Sequence, residues 1–144
     1  MNVLWNEVIS RAESEERTYL MEHECKELLL RRGIPTNSTF VAQSVDEAVE
    51  LSDKIGYPVV LKVLSPEVVH KSDQGGVKLN LKNAAEVESA YKEIITAFAD
   101  KKLIGVTVQE MVKPGLEAIV GVSRDPAFGP VLMFGLGGVF VEVL

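Results

Sequence analysis

At 144 residues, with 47% hydrophobic side chains and a formal net charge of -6, the chain is long enough for one core and short for two, so it reads as one compact unit or a piece of a larger one. The acidic balance and the 6% aromatic content argue against a nucleic-acid partner, which wants a broad basic face. The single Cys25 offers neither a disulfide framework nor a cysteine metal site, the N-terminus lacks a signal-peptide core, and no apolar run approaches the ~20 residues of a membrane span, so a soluble protein of the reducing cytoplasm is expected.

Trp5, Val8, Ile9 and Ala12 share one stripe of an amphipathic helix over residues 3–14, behind a candidate Asn2 cap. A charged joint from Glu13 to Arg17 leads into a second helix marked by Cys25, Leu28 and Leu29, with His23 expected on its polar, solvated face. The run Arg31-Arg32-Gly33-Ile34-Pro35 stops that helix: basic last turn, glycine past the end, proline beyond. Thr39–Ala42 is a short strand, and Ser44 with Glu47 forms a capping box for a helix that turns Val45, Ala48, Leu51 and Ile55 inward until Gly56.

The stretch from Tyr57 to Lys82 is locally +2 in an otherwise acidic chain. Val59–Leu64 is too short and too β-branched for a helix and reads as a buried strand, with Val60, Lys62 and Leu64 on one face. An ammonium in that apolar row must reach water, pair with a carboxylate or meet an anionic ligand. After Ser65-Pro66, the loop His70-Lys71-Ser72-Asp73-Gln74-Gly75-Gly76 is polar and glycine-bearing, and Val77–Leu81 alternates as the returning strand. Such a loop suits phosphate, and it favours the anionic ligand for Lys62.

Asn83 with Glu86 repeats the cap signal, for a helix whose Val87, Ala90, Tyr91, Ile94 and Phe98 lie on a sheet. Gly105–Val112 and Glu117–Val122 read as strands joined by Lys113-Pro114-Gly115 into an antiparallel hairpin. Arg124-Asp125-Pro126 turns the chain into two further strands, Val131–Phe134 and Val139–Val143, around Gly135-Leu136-Gly137-Gly138. A P-loop is absent, and this glycine run precedes a strand where a dinucleotide fingerprint would need a helix. His70, beside Lys71 and Asp73, is the one histidine placed where an imidazole could attack phosphorus. The whole is α+β: a mixed or antiparallel sheet flanked by helices. Leu144 falls inside what reads as a buried strand, so the second half is expected to be incomplete.

The strings PVVLK ending in Lys62, HKSDQGGVKLNL, VQEMV, GLEAIVGVSRD and FGPVLMFGLGGVFVEV resemble the ATP-grasp part of ADP-forming acyl-CoA synthetases, relatives of the succinyl-CoA synthetase β subunit. The resemblance covers residues 18–144, with residues 1–17 as an N-terminal helical extension. It implies an ATP-grasp-like fold in which two α+β subdomains grip ATP or ADP, the second being incomplete here. It also implies an acid–thiol ligase that interconverts acid, ATP and CoA with acyl-CoA, ADP and phosphate, working with a CoA-binding α-type subunit or domain. By the same resemblance Lys62 meets the nucleotide's phosphates, Glu110 and the backbone near Val112 the adenine edge, and Glu117 the ribose. His70 carries the phosphoryl group, and Lys71 with the Gly75 and Gly76 backbone neutralises charge in transit. The family's Mg²⁺ ligands would lie after Leu144, so the 144-residue chain by itself is expected to be inactive. A non-catalytic ATP-binding module that dimerises through an open strand edge, an ATP-grasp portion of a protein acyltransferase fusion, and a ligase joining a carboxylate to an amine remain alternatives.

Overall fold

The computed structural model describes residues 3–68, 71 and 74–138. They fall into two compact units, one up to Val112 and one from Lys113 onward, where a single core was expected from the length. The first unit holds α1 (Val3–Ser14), α2 (Glu22–Arg31), β1 (Thr39–Ala42), α3 (Val45–Ile55), β2 (Val59–Leu64), β3 (Val77–Leu81), α4 (Ala84–Ala97) and β4 (Gly105–Glu110). Its four strands form one antiparallel sheet in the order β1-β4-β2-β3.

Both long inner helices begin where a short polar side chain can take a free amide. Ser44 Oγ accepts from the Glu47 N–H at 3.2 Å, and Asn83 Oδ1 from the Glu86 N–H at 3.0 Å. In each case the glutamate reaches back one residue beyond the cap, to the N–H of Gln43 at 2.7 Å and of Lys82 at 2.8 Å. These helices turn Ala48, Val87, Ala90 and Ile94 onto one sheet face, where they meet Val59, Leu61, Val63, Val106 and Val108 in the core. Each such aliphatic side chain contributes about 1.5–3 kcal/mol when fully buried.

Two outer helices depart from the expected stripes. In α1, Val8 and Ala12 are buried, but Trp5 and Ile9 are exposed, and in α2 Leu28 is buried while Leu29 is exposed. The face these helices cover is narrower than their apolar spacing. The candidate Asn2 cap lies outside the described residues.

The second unit is an antiparallel ribbon of β5 (Ala118–Asp125) and β6 (Gly129–Leu136), closed by a turn in which Asp125 Oδ1 accepts from the N–H groups of Ala127 and Phe128. The expected hairpin between β4 and the Glu117–Val122 strand does not form. Both edges of β4 are already paired, with β1 and β2, and β5 takes β6 instead. The expected strand Val139–Val143 lies outside the described residues.

Candidate functional site

The two faces of the four-stranded sheet differ in chemistry, and strand register decides which residue goes where. Val59, Leu61 and Val63 point to the core beneath α3 and α4, so Val60, Lys62 and Leu64 take the opposite face, as the alternation predicts. Register places Lys62 opposite Thr107, and Val60 opposite Gln109, which itself pairs with Thr39. The result is a polar row of Thr39, Gln109, Thr107 and Lys62, met by α2.

From α2, Glu22 and Lys26 stand one turn apart on the same side. Glu22 Oε1 accepts hydrogen bonds from Lys62 Nζ at 2.9 Å and Gln109 Nε2 at 3.1 Å, and ion-pairs with Lys26 Nζ at 2.9 Å. Lys26 also donates to Thr39 Oγ1 at 3.0 Å and to Gln109 Oε1 at 3.1 Å. Of the three fates open to Lys62, the structure holds the carboxylate pair, with the side chain still 25% exposed. Burial alone would raise the Glu22 carboxyl, but hydrogen bonds from Lys62 and Lys26 outweigh it and hold the group down at about 2.

Lys71 joins this positive cluster. Burial pushes its ammonium below the ordinary value; the Glu22 charge opposes that shift, while the Lys62 and Lys26 charges add to it. Two ammonium groups thus share one carboxylate, with the Lys71 charge near enough to act on it, an excess that favours an anion at the open side of Lys62. In an ammonium with three N–H groups, Lys62 spends one on Glu22 among the described residues, whereas Lys26 has three oxygens around it.

The glycines go elsewhere. Gly76 donates its N–H to the Lys71 carbonyl at 2.8 Å, and its own carbonyl accepts from Val63 N–H at 2.7 Å. A Cβ there would meet Val63 Cγ1 at 2.6 Å and Phe98 Cζ at 3.1 Å. Its smallness therefore serves packing on the α4 side, and its amide is not free for a phosphate. Gly75, at φ +74°, lines an open groove of about 540 Å³ with Lys78, Ser89, Lys92 and Glu93, again on the α4 side of the sheet. Lys71 lies near enough for its ammonium to feel the Lys62 charge, while both glycines face the α4 side, Gly76 tied to the Lys71 backbone. His70, Ser72 and Asp73 lie outside the described residues.

Glu110 ends β4 with its side chain exposed, while its backbone is pinned by the Ser38 carbonyl and Asn37 Nδ2, each at 3.2 Å. Val112 is exposed beside it. Glu117 belongs to the ribbon unit, is exposed, and accepts the Gly137 N–H on its carbonyl at 2.9 Å. Among the described residues no three His, Cys, Asp or Glu side chains converge as a metal ion would require, and no helix is long and apolar enough to cross a membrane.

Two features escaped sequence reasoning. His23 is half-buried, its Nδ1 sealed from water without a partner among the described residues, and burial pushes its pKa down; it is not the solvated side chain expected. His23 lines a cleft with Thr39 and Val41 of β1, so that side of α2 looks onto the strand. The Glu22–Lys62 pair spans 40 positions, with no local signal to reveal it.

The profile of the ATP-grasp domain family matches residues 11–144. The chain is 49% identical over 142 residues to subunit beta of the ADP-forming acetate–CoA ligase I of Pyrococcus furiosus, covering 96% of this chain and 61% of that one. It therefore spans about three fifths of that relative's length. Among solved structures, the dinucleotide-forming acetyl-coenzyme A synthetase 1 of Ca. Korarchaeum cryptofilum, in complex with coenzyme A, Ca-AMPCP and HgCl+, superposes with a TM-score of 0.91 at 48% identity, over 96% of this chain and 62% of that one. The same enzyme with coenzyme A and Mg-AMPPCP, its phosphohistidine segment pointing towards the nucleotide binding site, gives 0.80 at 48% identity, over 96% of this chain and 59% of that one. With the helix-flanked antiparallel sheet described above, these matches establish that the chain belongs to the ATP-grasp domain family, and that it is similar to the corresponding part of ADP-forming acetate–CoA ligases.

Proposed function

We propose that this chain is the nucleotide-binding part of an ADP-forming acyl-CoA synthetase, which converts an acid, ATP and CoA to acyl-CoA, ADP and phosphate through a phosphohistidine. The observation that carries the reading is Lys62: a strand ammonium on the polar sheet face, with Lys71 and Lys26 adding charge that one carboxylate does not balance. Lys62 and Lys71 take the nucleotide's phosphates, Glu110 and the backbone near Val112 the adenine edge, and Glu117 the ribose hydroxyls. Gly76 is left out of the ligand set, because its amide is spent within the chain. In this reading residues 18–144 belong to the domain and residues 1–17 extend it.

His70 is the phosphoryl carrier: its imidazole nitrogen forms the P–N bond to the γ-phosphorus of ATP as the bond to the bridging oxygen breaks and ADP leaves, and in the reverse direction ADP takes the group back. A relative in which a phosphohistidine segment points towards the nucleotide binding site is in keeping with this role. Mg²⁺, when bound, neutralises charge on the transferring phosphate; among the described residues no three His, Cys, Asp or Glu side chains converge to hold it. The partners that follow are a CoA-binding α-type subunit or domain and, through a free strand edge, a second copy of the chain. The unpaired Cys25 fits a cytoplasmic setting.

The test is phosphohistidine formation. The protein is mixed with the CoA-binding partner and radiolabelled ATP, or with acyl-CoA and labelled phosphate. An acid-labile, base-stable label that His70→Ala abolishes supports the assignment. No label in any mixture means a binding module without turnover.

A further inference from the structure

Lys26 and Lys62 lean on the same oxygen of Glu22 but stand differently towards any ligand. Lys26 is enclosed by the oxygens of Glu22, Thr39 and Gln109, all within 3.1 Å, so its three N–H groups are accounted for. Lys62 meets Glu22 alone among the described residues and keeps two N–H directions. Glu22 is in turn held by Gln109 Nε2, which also bonds Thr107 Oγ1, the residue facing Lys62 across β2 and β4. A long lysine stem carries rotamer entropy that a bound anion must otherwise overcome. Here one N–H is already fixed to a carboxylate anchored on two elements.

We propose that Glu22 is a positioning residue for the nucleotide, one that touches no ligand but aims the two remaining N–H groups of Lys62 at the phosphates. Lys26 and Gln109 hold Glu22 in place. The inference rests on the reading that Lys62 binds the phosphates. The simple electrostatic expectation has the opposite sign, since removing a carboxylate from a cationic cluster strengthens its pull on anions. The two effects therefore separate cleanly in one variant.

The experiment is a double-mutant cycle on the complete protein, with ADP as the ligand and adenosine as the phosphate-free control, read by titration calorimetry. Glu22→Gln weakens ADP roughly tenfold, the scale of one charge-assisted hydrogen bond, and leaves adenosine within about twofold. In a Lys62→Met background the same change costs nothing further. Unchanged or tighter ADP binding in Glu22→Gln overturns the proposal, and so does an equal loss for adenosine or an equal loss in both backgrounds. Should Lys62→Met itself leave ADP affinity untouched, the phosphate reading falls and takes this one with it. If Glu22→Gln does not fold, Glu22→Asp keeps the charge but shortens the reach, and normal ADP affinity there overturns the proposal equally.

Discussion

Arg17 grips Glu24 with both terminal nitrogens, Nη1 to Oε2 and Nη2 to Oε1, each at 2.9 Å, and both side chains are only 4% exposed. Glu24 also accepts the Met21 N–H at 2.7 Å, which ties the charged joint after α1 to the first turn of α2. Removing one partner strands a buried charge, so Arg17→Ala costs about 3–5 kcal/mol in urea unfolding. Replacing both by apolar residues of similar volume costs much less. Equal losses in the single and double variants would contradict this.

Stability falls in two steps as pH drops. Burial sets the His23 pKa below its ordinary 6.5, so the folded state resists a proton that the unfolded chain accepts, and stability declines as pH falls through that value. The Glu22 and Glu24 carboxyls are depressed by their basic partners, so their contribution is intact above 4.5 and is lost below it, for Glu22 down to about 2. Melting temperature against pH checks both, and His23→Gln removes only the upper step.

The two adjacent glycines respond differently to alanine. At Gly76 a methyl group drives into Val63 and lies 2.9 Å from the Lys71 carbonyl, so Gly76→Ala costs roughly 1–3 kcal/mol through overpacking. At Gly75 nothing lies within 4 Å, and the cost is the left-handed backbone alone, about 1 kcal/mol. Denaturant midpoints in that order are expected; the reverse order would mean the loop does not seat Gly76 against the core.

Cap removal is a local test of helix entry. Ser44→Ala and Asn83→Ala each lose about 1 kcal/mol, while Ser44→Gly loses a few tenths. Because the glutamates reach past the cap, to Gln43 and Lys82, Glu47→Ala and Glu86→Ala add losses of their own.

These caps, and the apolar spacing of α3 and α4, were legible because they depend on residues a turn apart. Strand existence was legible too, since Val59–Leu64 and Gly105–Glu110 are β-branched runs that no helix would favour. Strand partnership was not: β4 and β5 follow one another in the chain, yet pairing goes to whichever edge is free. The same limit hid the partner of Lys62. Local pattern exposes an ammonium in an apolar row, but which of 21 acidic residues answers it depends on how α2 crosses the sheet. His23 failed for a related reason, because helix polarity does not reveal which side a neighbouring strand will cover.

The β5–β6 ribbon carries apolar side chains outward on both surfaces: Val120, Val122, Leu132 and Phe134 on one, each at least 65% exposed, and Ile119, Val131 and Met133 on the other, also exposed. Two strands alone cannot shield such rows from water, and an isolated hairpin is marginal at best. The cohesion of this segment is borrowed from whatever comes to lie on it, so its amides should exchange with deuterium far sooner than those of β2, and cutting it loose should yield a sticky peptide.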